Sequence, residues 1–149
     1  MSNDDIDLPH KLTLEVRDTC LCLHVRRAAR AVARLYDEAL RPVDLTNGQF
    51  SLLMSLNRPE PPTMGQVSAV LAMDRTTLTA NLKPLERRGL VEVTVDSNDR
   101  RSRRMSLTAE GRRTLAAAMP IWRETQLAAE RLLGGSDVDR LRRDLRSLS

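Results

Sequence analysis

Two four-residue stretches, TNGQ at residues 46–49 and TMGQ at 63–66, restrict the middle of this chain more than anything else in it. In each, a threonine precedes a glutamine by three positions. The threonine hydroxyl can accept a backbone N–H of a first helical turn, and the glutamine can reach back to the threonine's own N–H. Both stretches therefore read as capping boxes. Phe50, Leu52, Leu53, Met54 and Leu56 give the first helix its apolar residues, and Val67, Val70 and Leu71 serve the second. The run NRPEPP at 57–62 forces a loop between them. Two short, closely spaced helices leave little room for anything but a compact helical core.

The chain beyond them is just as punctuated. A turn at Ala72 and Met73 leads to Asp74, a plausible N-cap for a helix over 75–88, RTTLTANLKPLERR. Gly89 suits the position past its end, where a positive φ is comfortable. Leu78, Leu82 and Leu85 form the buried stripe, and Thr76, Thr77, Thr79, Asn81 and Lys83 point elsewhere. LVEVTV at 90–95 and RMSLT at 104–108 alternate with a period of two, which predicts a β-hairpin. Its tip is DSNDRRSRR, residues 96–104, with four arginines beside two aspartates.

Long helices flank this block. Residues 14–41 carry Leu21, Val25, Ala28, Val32, Leu35 and Ala39 at alternating steps of four and three, the spacing of a seam between helices, until Pro42 ends the run. Thr108 caps a second long helix reaching about Leu133, with a bend expected at Pro120. After GGS, a last amphipathic helix shows Val138, Leu141 and Leu145 as its stripe. Residues 1–11 read as a flexible arm. Residues 12–43 and 109–149 read as flanking helical regions, and 44–108 as the functional domain.

Charge says what that domain meets. The net charge is +4. Residues 75–104 hold eight basic and four acidic side chains, so the whole excess sits in one segment. Confined positive charge is the footprint of an anionic partner, nucleic acid first. Only Tyr36, Phe50 and Trp122 are aromatic, which disfavours a stacking platform for single strands. The order of elements is that of a winged helix-turn-helix, mainly α, on double-stranded DNA. A helix fits the major groove, where short polar side chains reach base edges, and arginines on a hairpin suit a neighbouring minor groove. Arg75, Lys83 and Arg87 are placed for phosphates. Thr76, Thr77, Thr79 and Asn81 are placed for bases, and Asp99, Arg100, Arg101 and Arg103 belong to the wing.

The chain resembles the MarR family of transcriptional regulators through LTNGQFSLL (45–53), MDRTTLTANLKPLERRGLV (73–91) and DSNDRRSRRMSLTAEG (96–111). The resemblance implies an obligate homodimer in which 12–43 and 109–149 form an intertwined helical dimerisation region around a DNA-binding domain at 44–108, each subunit reading half of a pseudo-palindrome. It also implies that Arg101 enters the minor groove, oriented by a charge-assisted hydrogen bond that it donates to Asp99. Two residues depart from the pattern. Asp44 stands where many relatives have glycine. Pro84 lies inside the recognition helix, where a local bend is expected.

Two inputs suggest themselves. Cys22 and Tyr36 fall where the organic-hydroperoxide-sensing branch of the family has its reactive cysteine and an activating tyrosine, while Arg26 and Asn47 replace that branch's two other tyrosines. Arg26, one turn away, would lower the thiol's pKa. The other input is a small aromatic or apolar anion lodged among Tyr36, Asn47, Phe50, Met54 and Arg26. Cys20 and Cys22, if both helical, point apart and suit neither a disulfide nor a shared metal.

No nucleophile–base pair, metal set or phosphate loop supports an enzyme, and no cofactor is expected. No apolar run has the length of a membrane span, and the start MSNDDIDLPHK is unlike a signal peptide, so a cytoplasmic location is expected. The reading is a homodimeric repressor released by a ligand or by thiol oxidation. The competing readings are a low-specificity architectural DNA-binding protein and an adaptor that has lost DNA binding.

Overall fold

The computed structural model describes residues 6–149. The first five residues of the expected arm lie outside it. Seven helices and one hairpin follow in chain order: α1 His10–Thr19, α2 Leu21–Ala39, α3 Asn47–Ser55, α4 Met64–Leu71, α5 Arg75–Arg87, β1 Val91–Val95, β2 Arg103–Leu107, α6 Ala109–Arg131 and α7 Val138–Ser147. The chain divides into two compact units, Met1–Arg34 and Leu35–Ser149, with the division inside α2.

In the first unit the single long helix expected from periodicity is two. Helix starts at His10 and stops at Thr19, because Cys20 takes an extended ψ of 108°. Cys20 serves as an N-cap for α2: its Sγ accepts the Leu23 N–H at 3.4 Å, and its carbonyl accepts the His24 N–H at 3.1 Å. The apolar spacing runs through this break without a mark, and cysteine is not among the usual capping residues. With Cys20 outside both helices, helical angles do not set its orientation relative to Cys22. Cys20 is half-buried and Cys22 is exposed.

In the second unit both capping boxes form. Thr46 and Thr63 each accept the N–H of Gln49 and Gln66, and each glutamine side chain returns to the threonine N–H at 3.0 Å. Before α3, a short 3-10 turn over Arg41–Val43 ends in Asp44 at φ 53°, ψ 46°. This left-handed backbone is why glycine suits the position. Arg88 steadies it here, donating to the Asp44 carbonyl at 2.6 Å with its guanidinium 3.6 Å from the carboxylate. Helix α5 runs unbroken through Pro84, and α6 through Pro120.

The core is built from one side of each element. Leu52, Leu53, Val67, Leu78, Leu85 and Met105 are fully buried, with Leu40 from the chain just after α2. Strands β1 and β2 pair antiparallel from Val91↔Leu107 to Val95↔Arg103. The hairpin meets α6 at an intimate joint. Thr108 Oγ1 donates to the Gly89 carbonyl at 2.6 Å and accepts the Gly111 N–H at 3.0 Å, while the Thr108 N–H reaches the Leu90 carbonyl at 3.1 Å. Gly111 lies so near that a Cβ there would stand 2.0 Å from the Leu90 carbonyl oxygen. That approach excludes any other residue without a backbone shift. Gly111→Ala is therefore expected to lower unfolding stability by about 1–3 kcal/mol, read as the urea midpoint. A midpoint equal to that of the wild type would show that the joint opens freely.

Candidate nucleic-acid interface

The turn between α4 and α5 fixes the recognition helix before its side chains matter. Ala72 adopts φ 50°, ψ 45°, and the Met73 N–H bonds back to the Ser68 carbonyl at 3.0 Å, closing α4. Asp74 then caps α5: one carboxylate oxygen accepts the Thr77 N–H at 2.8 Å and the other the Thr77 hydroxyl at 2.9 Å. Leu78, Leu82 and Leu85 anchor the inner face. Arg75, Thr76, Thr77, Thr79, Lys83 and Arg87 are exposed on the outer face, with Asn81 half-buried.

These polar groups are not equally available. Thr77 spends its hydroxyl proton on Asp74, Thr79 donates to the Arg75 carbonyl at 2.8 Å, and Asn81 donates to the Thr77 carbonyl at 3.0 Å. Their oxygens remain as acceptors. Among the described residues, the Thr76 hydroxyl makes no intramolecular bond and keeps its donor for a base edge or a phosphate.

The wing tip is closed by hydrogen bonds of its own. Asp96 is nearly buried and accepts the Asn98 N–H at 3.1 Å, its own N–H donates to the Ser102 carbonyl at 3.0 Å, and the Ser102 N–H closes on the Asp99 carbonyl at 2.9 Å. The Asp99 carboxylate accepts the backbone N–H of Arg101 at 3.0 Å. It thus shapes the turn that carries Arg101 and forms no ion pair with the Arg101 guanidinium. Arg100, Arg101 and Arg103 project into solvent. Arg104, counted with them in the charge cluster, turns inward to Asp96 and the loop before α4.

Two of the residues named for an input, Phe50 and Met54, share a cleft. Phe50 stacks on Trp122, ring centroids 6.3 Å apart, and with Met54 they line a cleft of about 380 Å³ completed by Ser51, Ser55, Val70, Leu71 and Met119. Tyr36 is elsewhere: its hydroxyl donates to Gln126 Oε1 at 2.6 Å, and burial followed by the Glu130 carboxylate raises its pKa above the ordinary value. Asn47 is tied by its N–H and its side-chain amide to Asp37 Oδ1, both at 2.7 Å. Arg26 and Cys22 lie in the first unit and are exposed there. Met119 and Trp122, three apart on α6, were the missed signal: the only tryptophan of the chain shares a helix face with a methionine.

A family model described as the MarR family matches residues 43–102. The transcriptional regulator MosR of M. tuberculosis, solved in complex with DNA, is 44% identical, over 87% of this chain and 92% of its own, with a TM-score of 0.78. A mutant MarR from E. coli, complexed with operator DNA, is 25% identical over 89% of this chain and 96% of its own, with a TM-score of 0.79. Transcriptional regulator HosA of Escherichia coli O127:H6 (strain E2348/69 / EPEC) is 40% identical over 80 residues, covering 52% of this chain and 58% of HosA. That match spans little more than half of HosA's length. Among the described residues, no helix is long and apolar enough to cross a membrane.

The caps that hold the interface are carboxylates, so they respond to acid. Hydrogen bonds from Thr77 hold the Asp74 carboxyl below its ordinary value of 3.8, and the Asn98 N–H, then Arg104, do the same for Asp96. A depressed folded-state pKa means a contribution present above the unfolded value and lost as pH falls through the folded one. Both carboxyls are expected to titrate below 3.8 by NMR in the folded protein, and the Thr77 and Asn98 amide shifts should follow them. Titration at or above that value would mean the caps are not formed in solution.

Proposed function

The chain belongs to the MarR family, and from that premise we propose that it is a homodimeric, sequence-specific repressor of transcription. The reading rests on one observation above others. A rigidly capped α5 presents Arg75, Thr76, Thr79, Lys83 and Arg87 on the same chain that carries Arg100, Arg101 and Arg103 on the wing. A helix of this width suits the major groove, and arginines on the wing suit the minor groove beside it. MosR and the E. coli MarR mutant, both solved with DNA, share the fold over most of their length.

Pairing of two copies is supported by apolar side chains that one chain leaves open. Leu21 and Val32 of the α2 seam are exposed, and so are Leu127, Leu132, Leu145 and Leu148 toward the C-terminus. Exposed apolar residues spaced along amphipathic helices are what a subunit interface covers. Two copies then place two recognition helices, which calls for a pseudo-palindromic site with half-sites about one helical turn apart, or a multiple of it.

The test is a binding titration on DNA from the promoter region of the chain's own gene against a scrambled duplex, across salt concentrations. A preference of roughly a thousandfold or more is expected. A preference near unity would favour the architectural reading. Arg101→Ala should weaken binding by about 1–3 kcal/mol, and unchanged affinity at physiological salt removes the wing contact.

Release of DNA is assigned first to the Phe50–Trp122 cleft. Among the described residues its lining holds no charged side chain, which favours a neutral aromatic or apolar effector over the anion suggested by the sequence. Since the chain has one tryptophan, intrinsic fluorescence reads the cleft directly. Neutral ring compounds should shift it and lower DNA affinity, with benzoate-type anions far weaker; the reverse order rejects the assignment. Thiol oxidation is the second input, carried by the exposure of Cys22. Peroxide should then release DNA from wild type and not from Cys22→Ser, and equal release from both excludes Cys22.

A further inference from the structure

Of the four arginines in residues 96–104, one is spent inside the protein. The Arg104 side chain is 34% exposed and faces an Asp96 side chain that is 9% exposed, with Nε 3.3 Å from Oδ1. Its Nη1 donates to the Pro61 carbonyl at 2.6 Å. The backbone repeats the connection: Thr94 and Thr63 flank Arg104 on either side, and the Met105 N–H donates to the Pro62 carbonyl at 3.0 Å. One side chain thus joins three pieces: strand β2, the root of the wing tip at Asp96, and the loop that leads into α4.

We propose that Arg104 is a positioning residue, which fixes the wing against the helix-turn-helix so that Arg101 and α5 reach DNA together, and which itself touches no phosphate. The proposal rests on the wing contact put forward above. Swinging the guanidinium out to DNA would leave the nearly buried Asp96 carboxylate without its cation and the Pro61 carbonyl without that donor. Removing one partner of a desolvated pair is the costly case. A charge already neutralised within the protein also releases no counterions when DNA binds, which gives a signature that a phosphate contact lacks.

The experiment measures affinity for the specific duplex over a range of salt for wild type, Arg104→Met, Arg101→Ala and the double variant, each checked for folding by thermal melting. Arg104→Met should weaken binding by roughly tenfold, with the slope of log affinity against log salt unchanged. In the Arg101→Ala background it should cost much less, because the main group it positions is gone. A residue that served only general stability would cost the same in both backgrounds. Should Arg104→Met fail to fold, Arg104→Gln, which also lacks the charge that faces Asp96, takes its place with the same comparisons. A slope reduced by about one unit would make Arg104 a phosphate contact and overturn the proposal. So would undiminished affinity, or a full additional loss in the double variant. If Arg101→Ala alone binds like wild type, the wing contact itself fails, and that outcome is separate from failure of Arg104 to act through it.

Discussion

At Gly111 two backbones come so close that no side chain fits between them, and the geometry of the DNA-facing surface follows from that approach. The Leu90 carbonyl, just past the end of α5, sits where a Cβ of residue 111 would be. Thr108 bridges the same place, bonding the Gly89 and Leu90 carbonyls on one side and the first turn of α6 on the other. The end of the recognition helix, the base of the hairpin and the start of α6 are therefore one joint. A rotation of α6 cannot leave α5 where it was, because the contact is backbone on backbone and has no flexible side chain to absorb the movement. Packed joints of this kind shift between discrete arrangements and do not deform smoothly.

Around that joint the protein separates structural charge from functional charge. Asp96 and Arg104 face inward, and Asp44 and Arg88 hold a left-handed turn at the start of the domain. Arg75, Lys83, Arg87, Arg100, Arg101 and Arg103 face solvent. Sequence counts all of these alike, so a charge tally locates the segment but does not separate paired charges from solvent-facing ones. Position in the hairpin register is what distinguishes Arg103 from Arg104: adjacent residues on a strand point to opposite faces. One of those faces lies over the Pro61–Pro62 backbone.

How much was legible follows the same division between local and long-range causes. Both capping boxes, the Asp74 cap and the Gly89 stop depend on residues within a few positions of one another, and the structure agrees with the sequence at each, as it does for the hairpin. The break at Cys20 was not legible, because a cysteine cap leaves the apolar periodicity intact on both sides. The start of α1 inside the expected arm escaped for a similar reason, since His10 and Lys11 are polar yet compatible with a first helical turn. The partners of the input residues were not legible either. Tyr36 and Asn47 find their partners at Gln126 and Asp37, and Phe50 finds Trp122. Those pairings are set by how α2, α3 and α6 pack, which spacing along one helix does not encode.

The cleft and the recognition helix are connected by a very short path. Val70 and Leu71 line the cleft and form the last turn of α4. Ala72 follows, in a left-handed conformation that costs a residue with a Cβ about 1–2 kcal/mol, and Asp74 opens α5 two residues on. Coupling free energies between sites are commonly about 1–3 kcal/mol, so strain held at Ala72 is of the size that an effector has to influence. A ligand acts only by favouring one arrangement over another. Wedged between Trp122 on α6 and Leu71 on α4, it would press the two elements that the Gly111 joint and the Ala72 turn tie to opposite ends of α5. Both ends of the recognition helix are thus tied to elements that line the cleft.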